Sequence, residues 1–110
     1  MIRVISFSFR KGVPVGASLV LDCRGLRNPH LNPRLRHMTG KDLAVQEYVM
    51  QDGNAPLMLK DALERVQDDM TIAFGCYGGR HRSVAMAERL AKELGRVGCE
   101  VEVIHRELED

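Results

Sequence analysis

The segment running from Thr71 to Leu94 constrains this chain more than any other. An apolar run, Thr71–Cys76, passes through a glycine-containing turn, Tyr77–Arg82, into Ser83–Leu94, where Val84, Ala87, Ala91 and Leu94 recur at helical spacing. A strand followed at once by a helix is the repeating unit of α/β domains, and a buried parallel strand reads as a nearly continuous apolar run. Gly78 and Gly79 let successive backbone N–H groups converge. The helix start adds unpaired amides and a partial positive charge, and Arg80 and Arg82 bring forked donors. Strand, turn, cations and helix in that order predict a site for phosphate or another oxyanion, with His81 as a third donor.

The remaining segments fit the same frame. Ile2–Phe9 alternates loosely and reads as a strand, broken by Gly12, Pro14 and Gly16. Ser18–Arg24 is a short apolar run with Asp22 at its carboxyl end, the pattern of a buried central strand. Residues 25–40 hold Asn28-Pro29 and Asn32-Pro33 with four arginines and two histidines if Arg24 at the strand end is counted. That is long for a mere connection and marks a functional loop. Thr39 and Asp42 have capping-box spacing for a helix with Val45, Tyr48 and Val49 on one face, stopped at Asp52-Gly53-Asn54. Pro56 suits the first turn of a second helix with Leu59, Leu63, Val66 and Met70 inward. Gly95 is read as the stop of the last helix, and Glu100–His105 as a closing strand with Val101 and Val103 inward. The expectation is a single α/β domain over residues 1–110, a mostly parallel sheet of about four strands flanked by helices.

At 110 residues, 45% hydrophobic and 28% charged, the chain suits one domain with a real core. Its longest apolar stretches, such as Ala17–Leu21, fall far short of the ~20 residues that cross a bilayer, so no membrane association is expected. The N-terminus lacks the pattern of a secretory leader. Cys23, Cys76 and Cys99 have no framework spacing, which fits a reduced, cytoplasmic chain with Cys23 and Cys99 packed as small hydrophobes. Charge is distributed unevenly: residues 1–41 hold eight Lys or Arg against Asp22 alone. The arginines of this basic third, Arg24, Arg27, Arg34 and Arg36, together with Arg80, are the candidates for a nucleic-acid backbone. Few aromatics argue against extensive base stacking. His30, His37, His81, His105 and Cys76 share no compact ligand spacing, so neither a metal nor another cofactor is expected. His105, at a strand end, reads as a satisfied edge histidine.

A second chemistry is open at the same turn. Cys76 and Arg82 are separated by five residues and followed by Ser83, the C-x5-R-[ST] spacing of cysteine-dependent phosphatases. In such a loop a thiolate attacks phosphorus while amides and arginine hold the oxygens. Gly75 stands where those enzymes usually have His, and only Asp22 or Asp52 is available as a general acid.

Gly75-Cys76-Tyr77-Gly78-Gly79-Arg80-His81-Arg82-Ser83-Val84 resembles the signature of the carboxyl-terminal domain of the RNase adapter protein RapZ family. Ser6-Phe7-Ser8-Phe9 leading to Lys11-Gly12-Val13-Pro14, then Asp22-Cys23-Arg24-Gly25-Leu26-Arg27-Asn28-Pro29-His30, and finally His105-Arg106-Glu107-Leu108-Glu109 agree with it in the same order. The resemblance implies a non-enzymatic α/β domain that binds the phosphosugar glucosamine-6-phosphate and small regulatory RNA, presents the RNA to an endoribonuclease, and assembles into homo-oligomers. It also implies a phosphosugar site of His30, Cys76, Tyr77, Gly78, Gly79, His81 and Arg82. Position 77 is Tyr where the family usually has Thr. The family's nucleotide-binding domain is not expected here, because these residues contain no G-x-x-x-x-G-K-[ST], and the chain is read as a stand-alone domain.

Overall fold

A computed structural model describes residues 1–108; Glu109, the last residue of the terminal motif, lies outside the described residues. Four strands, β1 (Ile2–Ser8), β2 (Leu19–Asp22), β3 (Thr71–Cys76) and β4 (Val101–His105), form one sheet in the order β2-β3-β1-β4. Every pairing is parallel, with Val4 beside Ile72 and Val103, and Leu21 beside Phe74. Three helices complete the domain: α1 (Leu43–Met50), α2 (Asn54–Arg65) and α3 (Arg82–Arg96). The α/β reading therefore holds, and the sheet is wholly rather than mostly parallel.

Period-two alternation puts Ile2 and Val4 of β1, Leu19 and Leu21 of β2, and Ile72, Phe74 and Cys76 of β3 on one face. There they share a core with Met86, Leu90 and Leu94 of α3 and with Ala55 and Ala62 of α2. Phe74 and Leu90 are fully buried, and truncating either to Ala is worth about 3–5 kcal/mol for the ring and 2–5 for the leucine. Small residues matter as much as large ones here: Ala85 and Ala87 let α3 approach the sheet closely, and both are buried.

Several boundaries differ from the sequence expectation. Phe9 leaves β1 and begins a 3-10 turn, Phe9–Lys11, because the Ser8 hydroxyl accepts the Arg10 N–H and caps it. Thr39 and Asp42 do interact, with the Asp42 carboxylate accepting the Thr39 N–H at 3.0 Å, but Asp42 itself is the N-cap and α1 starts later. The helix expected to run to Met70 ends at Arg65, where Val66 turns extended; Asp69 beyond it has φ of 66°. α3 runs past Gly95 to Arg96, and Gly98, with φ of 89°, is the left-handed residue that follows it. On α3 the half-buried Ala91 gives way to Leu90 as the core residue. On β4, an edge strand, Val101 and Val103 are only half buried. Cys23 is in the core and Cys99 packs against it, while a second 3-10 turn, Pro29–Leu31, orders the middle of the long loop.

Candidate functional site

β1 and β3 are neighbours whose onward connections leave toward opposite edges, β1 to β2 and β3 to β4. Ligands of open α/β sheets bind in the crevice outside the carboxyl ends at such a switch point. A cavity of about 340 Å³ opens there, lined by Arg10, Asn28, His30, Cys76, Tyr77, Gly78, Arg80, His81 and Arg82. Arg10 follows β1, the turn follows β3, and Asn28 and His30 come from the loop after β2. Three guanidinium groups and two imidazoles line the space, and among the described residues no acidic one does. Among the described residues no side chain caps the N-terminus of α3, which leaves the amides of its first turn to whatever enters.

The wall is held from behind by the same residues. Arg82, 7% exposed, donates from Nη1 to the carbonyls of Arg24 at 2.7 Å and Leu26 at 3.2 Å, so it tethers the loop after β2, while its remaining N–H groups have no partner among the described residues. His81 Nε2 donates to the carbonyls of Met38 at 2.8 Å and Arg36 at 3.1 Å. That fixes Nε2 as the protonated nitrogen, so neutral His81 presents an acceptor, Nδ1, rather than the third donor expected; it donates to an anion only when charged. Burial holds the His81 imidazole below its usual pKa, against the pull of those two carbonyls. Gly40 explains how the loop comes so near: a β-carbon there would lie 2.2 Å from Ala85 N and 2.5 Å from His81 O. Its N–H donates to the Arg80 carbonyl at 2.9 Å.

Cys76 is 2% exposed. Its Sγ–H donates to Ser83 Oγ at 3.1 Å and its sulfur accepts the Gly79 N–H at 3.3 Å. Gly79, with φ of 72°, consequently shapes the turn from the inside and is absent from the wall, whereas the other residues of the expected phosphosugar set are all on it. Arg80, assigned by sequence to a nucleic-acid face, is on the wall as well. Asp22 makes paired bonds to Arg24 Nε and Nη2, and the arginine holds its carboxylate below the usual range. Asp52 accepts the backbone N–H groups of Arg27 and Asn54. Neither carboxylate belongs to the wall.

Outside the cavity, the loop arginines differ in freedom. Arg24 also stacks over Phe9, 4.1 Å from the ring centroid. Arg27 lies 4.0 Å over Tyr48 and bonds Gln51. Arg36 Nε donates to the His30 carbonyl at 2.9 Å. Among the described residues no acid pairs with Arg10, Arg34, Arg36 or Arg80, and no cluster of His, Cys, Asp and Glu is arranged to hold a metal ion. No described helix is long and apolar enough to cross a membrane. His105 is satisfied on both nitrogens, by Ser6 Oγ at Nδ1 and Glu88 Oε2 at Nε2, each at 2.7 Å.

Sequence reasoning missed Arg10 and Asn28. Asn28 stood next to Pro29 in a loop already singled out, and its Oδ1 accepts the His30 N–H, leaving its amide nitrogen for a ligand. Arg10 carried no local signal, since only the pairing of β1 with β3 brings it to the turn.

The model of the RapZ C-terminal domain family matches residues 1–109. The chain is 47% identical to a nucleotide-binding protein of Thermobifida fusca, over 96% of this chain and 40% of that protein. It is 44% identical to one of Jannaschia, over 98% and 37%, and 46% identical to one of Thermus thermophilus, over 99% and 43%. The chain thus spans about 40% of the length of the curated relatives it matches.

Proposed function

Because this chain belongs to the RapZ C-terminal domain family, we propose that it is a binding domain rather than a catalyst. It holds a phosphate-bearing ligand in the switch-point cavity and structured RNA on the arginine-rich loop beside it. The observation that carries this reading is the cavity wall: Arg10, Arg80 and Arg82 with two histidines, no acid among the described residues, and a helix start to which no described side chain is bonded as a cap. Such a wall suits a dianion, because forked guanidinium donors and converging amides match its oxygens. A phosphosugar of the glucosamine-6-phosphate type is the ligand proposed. Cytoplasmic location, homo-oligomers and a ribonuclease that receives the RNA follow from the family as parts of the same proposal. The nucleotide binding for which the relatives are named is not extended to this chain, which has no G-x-x-x-x-G-K-[ST].

Calorimetric titration with glucosamine-6-phosphate and with glucosamine tests the small ligand; only the phosphorylated sugar is expected to bind, and equal behaviour of the two contradicts the proposal. For RNA, a gel shift with a structured transcript is expected to weaken as salt rises. Each phosphate contact removed, as in Arg34→Ala or Arg36→Ala, lowers the slope of log affinity against log salt by about 0.7–0.9.

The phosphatase alternative has one observation in its favour, the Ser83 hydroxyl and Gly79 amide placed on the Cys76 sulfur. It lacks an acid: Asp22 is kept ionised by Arg24, and Asp52 caps backbone amides away from the wall. No carboxyl group among the described residues stands on the wall to protonate a leaving alcohol. Cys76→Ser is therefore expected to keep ligand affinity, and wild-type protein to release no phosphate from phosphotyrosine or phosphosugar. Hydrolysis that disappears with Cys76→Ser would replace the binding reading with the enzymatic one.

A further inference from the structure

Tyr77 is the one Phe or Tyr side chain among the described residues that is exposed, at 49%; Phe7 and Phe74 are fully buried, and Phe9 and Tyr48 are half buried. It stands at the mouth of the cavity, and three guanidinium carbons lie within 6 Å of its centroid: Arg24 at 5.6 Å, Arg10 at 5.8 Å and Arg82 at 5.9 Å. The ring is on a rigid base. Its backbone carbonyl accepts the Ser8 hydroxyl, and Arg24 is pinned by Asp22 on one side and by the Phe9 ring on another.

A phosphate needs donors and gains nothing from a π-face. An exposed ring ringed by arginines suits a ligand that is planar and apolar on its face and anionic on its backbone, which is the chemistry of an unpaired nucleotide. Arg10 and Arg80, without acidic partners among the described residues, flank the ring or the cavity beneath it and can take the phosphodiester. We infer that Tyr77 is a stacking subsite for a single unpaired nucleobase of RNA, set at the rim of the phosphate pocket. One ring seats one base, which is compatible with a chain otherwise poor in exposed aromatics. The inference rests on the RNA reading above and adds the residue through which a base, as distinct from the backbone, is felt.

The test uses an octamer of uridines and an abasic ribose-phosphate oligomer of the same length, at low salt, against wild type, Tyr77→Phe and Tyr77→Thr. Tyr77→Phe is expected to bind the uridine octamer within about twofold of wild type, and Tyr77→Thr about tenfold more weakly. The abasic oligomer is expected to bind all three alike, and the three proteins to share one unfolding midpoint, showing that the fold survives. In a Tyr48→Phe background, where Tyr77 is the remaining tyrosine, its emission should fall on adding the uridine octamer and not the abasic one. Equal affinity of wild type and Tyr77→Thr for the uridine octamer overturns the inference, as does an equal loss on the abasic oligomer. Folded wild-type protein that binds neither oligomer also overturns the inference, and it removes the RNA reading itself when the structured transcript gives no gel shift either.

Discussion

Gly79 of the turn rests on Glu107 of the terminal segment: a β-carbon at Gly79 would lie 2.4 Å from Glu107 Cγ and 3.0 Å from Ser8 N. The carboxylate, 6% exposed, accepts the Ser8 N–H at 2.7 Å and Arg106 Nη2 at 2.8 Å. Ser8 in turn donates its hydroxyl to the Tyr77 carbonyl and accepts the Arg10 N–H. The end of the chain therefore sets where two residues of the cavity wall stand, although it is not itself on that wall.

Substituting Gly79 by Ala should cost stability and ligand together. The left-handed φ of 72° disfavours a side chain by about 1–2 kcal/mol before the contact with Glu107 is counted. Gly78→Ala is the control, since its β-carbon would meet nothing within 4 Å. Chemical denaturation is expected to show a lowered midpoint for Gly79→Ala and a change within about 0.5 kcal/mol for Gly78→Ala.

Arg82→Ala should weaken phosphate binding and also destabilise the fold, because the carbonyls of Arg24 and Leu26 lose a buried charged donor. Each loss is expected at about 1–3 kcal/mol. Parallel titration and denaturation check this; a variant that loses ligand with an unchanged midpoint would show that the tether carries no energy. From the sequence alone Arg82 looked like a ligand residue only, since nothing in the order of residues reveals that its guanidinium reaches a loop far back in the chain.

Two windows of pH dependence follow. His81 is depressed in the folded protein by burial, so below the unfolded value of about 6.5 the unfolded chain takes up its proton first and stability falls with falling pH. His81→Gln, whose amide can still donate to the Met38 and Arg36 carbonyls, is expected to flatten that part of the profile. Glu107 is pushed up by burial, yet its bonds from Ser8 and Arg106 outweigh this and hold it below the ordinary carboxylate range. The stability it contributes is present above the unfolded value of about 4.3 and is lost as pH falls through the lower folded one. Glu107→Gln should remove that second, more acid step.

The strands and helices were legible because apolar periodicity and glycine or proline breaks are local signals. The turn at Tyr77–Arg82 was legible for the same reason, with glycines, cations and a helix start adjacent in sequence. What escaped depended on distant partners. Gly95 looked like a helix stop, but α3 runs through it to Arg96 and ends before Gly98. Gly40 carried no signal of its own, and its role is to let the loop touch the first turn of α3. Arg24 and Arg27 read as free cations, and strand pairing and side-chain stacking committed them to Asp22, Phe9, Gln51 and Tyr48.

The most direct test of the central claim is an amide-resolved NMR titration of the free domain with inorganic phosphate and then glucosamine-6-phosphate. Saturable shifts are expected to begin at Gly78, Arg80 and Arg82 and to extend to Arg10 and Asn28, the wall residues contributed by the turn after β1 and by the loop after β2. Shifts confined to residues away from the carboxyl ends of β1 and β3, or none at millimolar ligand, would contradict it.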